Sequence, residues 1–159
     1  TGGTMKDNLL NYMKAYLANI KAATMWFHAA HHVAKGAGFL SDHNDLYGKI
    51  YNSLDEHFDM LVEKSIALSG DESAACPLQL SIKASHVLNK HYVSPVNQPS
   101  DQIVKEAIEV IINLINSVSE IYSEFEKAGM LTLGLDDTLS ANAGEYEKYL
   151  YFLGQRYKS

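Results

Sequence analysis

The segment from His28 to Gly70, HAAHHVAKGAGFLSDHNDLYGKIYNSLDEHFDMLVEKSIALSG, constrains this chain most strongly. It closes one apolar-striped run, breaks at Gly36 and Gly38, and opens a second run that stops at Gly70. Before the break, Leu9, Met13, Tyr16, Ile20, Ala23 and Phe27 recur in steps of three and four, with His31 next in the series. That rhythm lines one face of a helix, so residues 6–35 are predicted as helix A. After the break, Leu46, Ile50, Leu54, Phe58, Leu61, Ser65 and Leu68 keep the same rhythm and predict helix B over residues 43–69. Glycine supplies the stop signal for each.

The remainder repeats this grammar. Residues 71–98 form a long connection punctuated by Pro77, Pro95 and Pro99, with LQLSIKASHVLNKHYV as one short helix inside it. Helix C is predicted over 100–128, with Ser100 as its N-cap and Ile103, Ala107, Val110 or Ile111, Leu114, Val118, Ile121 and Phe125 as its stripe. VIINLI is apolar nearly all round, which predicts deep burial. Helix D is predicted over 137–157, with Leu139, Ala143, Tyr146, Leu150, Leu153 and Tyr157 inward. GMLTLGLDD forms the turn before it, and Asp136 or Asp137 serves as cap. Four long helices with a crossover between the second and third describe an all-α, ferritin-like four-helix bundle.

Composition narrows the function classes. A chain of 159 residues is long enough for one domain with a real core, assigned to residues 5–159. TGGT before Met5 reads as a cloning remnant. The formal charge of −6 argues against a basic nucleic-acid surface. No apolar run reaches membrane-spanning length, and no signal-peptide pattern precedes helix A. A single cysteine, Cys76, cannot form an internal disulfide and suits a reducing compartment, so a cytoplasmic location is expected. Nucleophile–base, phosphate-loop and CxxC patterns are missing from the sequence, so hydrolase, kinase and thiol-redox readings have no support.

Three stretches resemble the Dps mini-ferritins, the DNA-protection proteins of starved cells. HHVAKGAGF at 31–39 resembles the family's pattern at the end of helix A. LYGKIYNSLDEHFDMLVEKSIALSG at 46–70 resembles its long second-helix motif, and DDTLSANAGEYEKYLYFLGQRYK at 136–158 its closing helix. The resemblance runs in order over nearly all of the chain from Met5. It implies a homo-oligomeric shell of twelve subunits and a di-iron site shared across a two-fold interface. It also implies ferroxidase chemistry, in which Fe²⁺ is oxidised by peroxide or oxygen and stored as a ferric mineral.

The family's site uses two histidines and an Asp from one subunit, the Asp four residues after the second histidine, with an Asp and a Glu from the other. Carried over residue by residue, His31 takes the first histidine place. Asp59 and Glu63 take the last two, on one helix face at i, i+4. The middle departs from the pattern. His43 lies twelve residues after His31, as the pattern asks, but sixteen before Asp59, one too many. At about 100° per residue, sixteen steps in a regular helix set His43 and Asp59 roughly 160° apart. Two readings remain open. In the first, favoured by the gapless match of LYGKIY, the extra residue sits in the A–B turn. Asn44 then stands at the second histidine place and Gly48 at the Asp place, both degenerate. In the second, a π-bulge in helix B restores His43. His28 and His32 are neighbours able to substitute as ligands, whereas His57 reads as a packing residue and His86 and His91 as surface residues.

The expected function is therefore iron oxidation and storage, with His31, His43, Asp59 and Glu63 holding metal. The alternative is a sequestering shell whose iron site is degenerate. DNA binding is disfavoured, because Lys6, Arg156 and Lys158 are the few cations near the chain ends and the repeated negative charge repels phosphate.

Overall fold

The computed structural model describes residues 5–158; Thr1–Thr4, read above as a cloning remnant, and Ser159 lie outside the described residues. Five α-helices make up the architecture. They are α1 (Met5–Val33), α2 (Lys49–Ser69), α3 (Pro77–His91), α4 (Ser100–Lys127) and α5 (Leu133–Tyr157). A π-helical segment, Ser41–Gly48, runs without interruption into α2, and a 3₁₀ turn, Glu72–Ala75, precedes α3. Helix α1 packs against α2, α3 and α4, while α4 packs against α5. The crossover through α3 between the second and third long helices is the feature that makes the bundle ferritin-like.

The predicted stripes supply the core. Leu9, Met13, Tyr16, Ile20, Ala23 and Phe27 of α1 are all buried, as are the named residues of α4 from Ile103 to Phe125. Each large side chain withdrawn from water contributes roughly 1.5–3 kcal/mol. VIINLI is buried at Val110, Ile111 and Leu114 but leaves Ile112 37% exposed. Leu68 and Tyr157, placed on stripes, are exposed instead, at helix ends where the bundle no longer covers them. In α5 the inward face also takes in Thr138, Asn142 and Tyr149. Asn142 is held there because its amide donates to the Tyr16 hydroxyl at 3.2 Å, and Tyr16 is bonded to the Tyr146 hydroxyl at 2.7 Å. These bonds satisfy polar atoms that would otherwise be costly to bury.

The ends of the elements differ from expectation in places. Gly36 and Gly70 adopt left-handed backbone, with φ of 84° and 72°, and Gly70 caps α2 through its N–H to Ile66 O. Pro77 opens α3, where a missing N–H is harmless. Pro99, not Ser100, stands at the cap position of α4. Helix α5 begins at Leu133, four residues before the predicted start. The cap is Thr132, whose extended backbone lets its hydroxyl accept the Leu135 N–H at 3.1 Å, so Asp136 and Asp137 lie inside the helix.

The A–B junction contains the largest departure. The extra residue is absorbed within the helix as π-turns, not in the loop before it. A π-turn closes over one more residue than an α-turn and so re-phases everything upstream against α2. The favoured turn reading is thereby corrected, and the bulge reading describes this chain.

Candidate metal centre

The π segment sets His43 directly on His31. Their rings stack with centroids 3.6 Å apart and planes 13° from parallel. Each ring also bonds the other's backbone: His31 Nδ1 donates to the His43 carbonyl, and His43 Nδ1 donates to the His31 carbonyl at 2.6 Å. A carbonyl only accepts, so both Nδ1 atoms carry the proton. Neither of these bonds uses an Nε2 atom. Donation of one ring N–H to a carbonyl while the other nitrogen binds metal is the usual arrangement of a ligating histidine. Phe39 stacks on His43 at 5.0 Å and further limits its rotation.

Gly48 makes this pairing possible. A Cβ at that position would lie 2.8 Å from the His43 carbonyl oxygen and 3.3 Å from His31 Nδ1. Hence Gly48, read from sequence as a lost ligand, is the place where backbone and ring approach too closely for a side chain. Counted four residues from His43, the position is Tyr47. Its hydroxyl is buried without a hydrogen-bond partner among the described residues, and its pKa is driven above the ordinary tyrosine range by burial and then by Asp42. Neither Tyr47 nor Gly48 supplies a carboxylate, and Asn44 is exposed.

A second feature fixes the π segment and was not read from the sequence. Asp42 is 2% exposed and accepts a two-pronged contact from Arg156, Nε to Oδ1 at 3.0 Å and a terminal nitrogen to Oδ2 at 3.1 Å. Arg156 also reaches Asp101 at 3.1 Å. The end of α5 and the start of α4 are thus tied to the residue preceding His43. Planar two-point contacts of this kind fix orientation as well as adding energy.

The predicted carboxylates lie elsewhere. Asp59 and Glu63 are both exposed on α2, one helical turn apart. Among the described residues, no three histidines, cysteines or carboxylates come together closely enough to hold one ion. One chain therefore presents a histidine pair and, separately, a carboxylate pair. His28 and His32 cluster beside His31, with centroids 6.3 and 5.4 Å from it.

Likeness to known proteins decides the fold. Over 96% of this chain and 91% of the other, a Dps from Thermosynechococcus elongatus superposes with a TM-score of 0.80 at 22% identity. The chain has the fold of the Dps proteins. A Dps homologue from Halobacterium salinarum matches over 99% of this chain and 83% of its own, at TM-score 0.79 and 18% identity. Dps from Staphylococcus aureus matches over 99% and 98%, at 0.78 and 16%. No family model and no curated protein matches the sequence. No helix among the described residues is long and apolar enough to cross a membrane.

Proposed function

We propose that the chain is a Dps-family mini-ferritin that binds ferrous iron at sites completed between subunits. It oxidises the iron with peroxide or oxygen and stores it in a hollow homo-oligomeric shell, a dodecamer by family resemblance, in the cytoplasm. The observation that carries this reading is the reciprocal bonding of the stacked His31 and His43 rings, which uses the Nδ1 of each and neither Nε2. Imidazole and carboxylate together suit ferrous iron. In this reading Asp59 and Glu63 of a second subunit face the histidine pair across a two-fold interface, which accounts for their separation within one chain. Iron is substrate and cargo here. The residues of the chain hold it and leave coordination positions open to the oxidant.

Anaerobic Fe²⁺ titration of metal-free protein, followed by peroxide, tests this. Saturable binding with rapid growth of ferric absorbance is expected, and its loss in a His31→Ala, Asp59→Ala variant. Absence of saturable binding in the unaltered protein refutes it. Such a result favours the second reading, a sequestering shell with a degenerate centre, for which Asn44, Tyr47 and Gly48 in place of a carboxylate are the motivating observation. A DNA-binding role draws no support from a chain of formal charge −6.

A further inference from the structure

Beside the His31–His43 pair the surface carries two more imidazoles that the iron reading does not use. His28 and His32 are one turn apart on α1, so their side chains share a face. Their rings lie 4.5 Å apart, centroid to centroid. Tyr51 of α2 packs on His28 at 4.5 Å, which restricts how that ring can turn. Both histidines are exposed, and neither ring makes a hydrogen bond among the described residues. This contrasts with His31 and His43, whose Nδ1 atoms are committed to backbone carbonyls. Two neighbouring imidazoles with free nitrogens, one of them held by an aromatic ring, are pre-arranged to share an ion.

We infer that His28 and His32 form a second metal site, separate from the iron-binding pair, that takes a late divalent transition ion on imidazole nitrogen. The donor set selects the ion class. Within one chain no carboxylate joins the pair among the described residues, so hard ions such as Mg²⁺ and Ca²⁺ gain little there, whereas Cu²⁺, Zn²⁺ and Ni²⁺ favour imidazole, Cu²⁺ most of all. No third protein ligand converges on the pair among the described residues, so water completes the coordination and the ion stays exchangeable. The site lies against His31, with the His31 and His32 ring centroids 5.4 Å apart, so an ion bound there stands beside the proposed iron-binding pair.

The test uses Cu²⁺ added to the whole protein and to a His28→Gln, His32→Gln variant, followed by electron paramagnetic resonance and calorimetric titration. Both residues are exposed, so the variant keeps the fold, and its helical circular dichroism checks this. The unaltered protein should bind one more Cu²⁺ per chain than the variant, with a signal carrying hyperfine coupling to two nitrogens. Anaerobic Fe²⁺ binding should be the same in both proteins. An unchanged Cu²⁺ stoichiometry and spectrum in the variant overturn the second site. So does loss of Fe²⁺ binding in the variant, because His28 and His32 would then belong to the iron centre; that outcome leaves the iron reading standing.

Discussion

Replacing Gly48 with alanine separates the role read from sequence from the role seen in the structure. If Gly48 were merely a vacated ligand position inside a helix, alanine would stabilise the protein by about 1 kcal/mol through helix propensity. Its backbone, at φ −61°, ψ −46°, poses no obstacle. The structure predicts the opposite sign. The new Cβ meets the His43 carbonyl oxygen at 2.8 Å and His31 Nδ1 at 3.3 Å, and the first of these is backbone that cannot swing aside. Overpacking of this kind costs about 1–3 kcal/mol. Forcing the carbonyl away from the His31 ring also breaks the His31-to-His43 hydrogen bond, worth about 1 kcal/mol. After the propensity gain is subtracted, a net loss of about 1–3 kcal/mol remains. Gly144 of α5 is the control, because a Cβ there meets nothing within 4 Å. Thermal melts at one subunit concentration, which any oligomer requires, should place Gly48→Ala several degrees below the unaltered protein and Gly144→Ala at or above it. If Gly48→Ala melts with or above Gly144→Ala, the His31–His43 approach described here is wrong.

Further perturbations probe the rest of the frame. Arg156→Gln leaves the buried Asp42 carboxylate without its main partner and should cost toward the lower end of the roughly 3–5 kcal/mol seen for broken buried pairs, since Arg156 itself is 22% exposed. Restoration of stability by adding Asp42→Asn to that variant, measured by urea unfolding, checks the assignment. Thr132→Ala removes the hydroxyl that accepts the Leu135 N–H and should lower stability by about 1 kcal/mol, where Thr132→Ser should not. Burial pushes Tyr16 up to about 12 and also raises Tyr146. Groups raised in the folded state contribute stability that is whole below their unfolded value near 10 and is lost as pH rises toward the folded value. Unfolding followed across pH 9–12 should therefore show an alkaline loss of stability, shallower in Tyr16→Phe. A pH-independent midpoint over that range would contradict it.

What could be read from the sequence was the part set by local periodicity. The stripes from Leu9 to Phe27 and from Ile103 to Phe125 are pure three-four patterns, and nothing distant had to act for them to form helices and meet. The cap of α5 was missed for a related reason. Thr132 and Asp136 are both competent caps by type, and the choice between them depends on backbone conformation, which residue type does not reveal. Of the candidate site, His31, Asp59 and Glu63 were assigned by resemblance to the Dps pattern, and the sequence left the placement of His43 open between a turn and a π-bulge.

The π segment explains that gap. SDHNDLYG carries no local signal for a wide turn, and residue by residue an α-helix would serve it equally well. What selects the π register is long-range. Asp42 is held by Arg156 from 114 residues further along the chain, and His43 is held by both ring and backbone of His31. Gly48 permits the approach without causing it. A register chosen by contacts closing only after α1, α2 and α5 are docked is a property of the tertiary structure. Re-phasing His43 in this way sets two imidazoles face to face at a cost that the buried Asp42–Arg156 pair and the two histidine–carbonyl bonds offset. It follows that the integrity of this centre and the docking of the end of α5 are one physical quantity. A change at Arg156, which is bonded to Asp42 just before His43, should disturb His43 as surely as a change at Gly48.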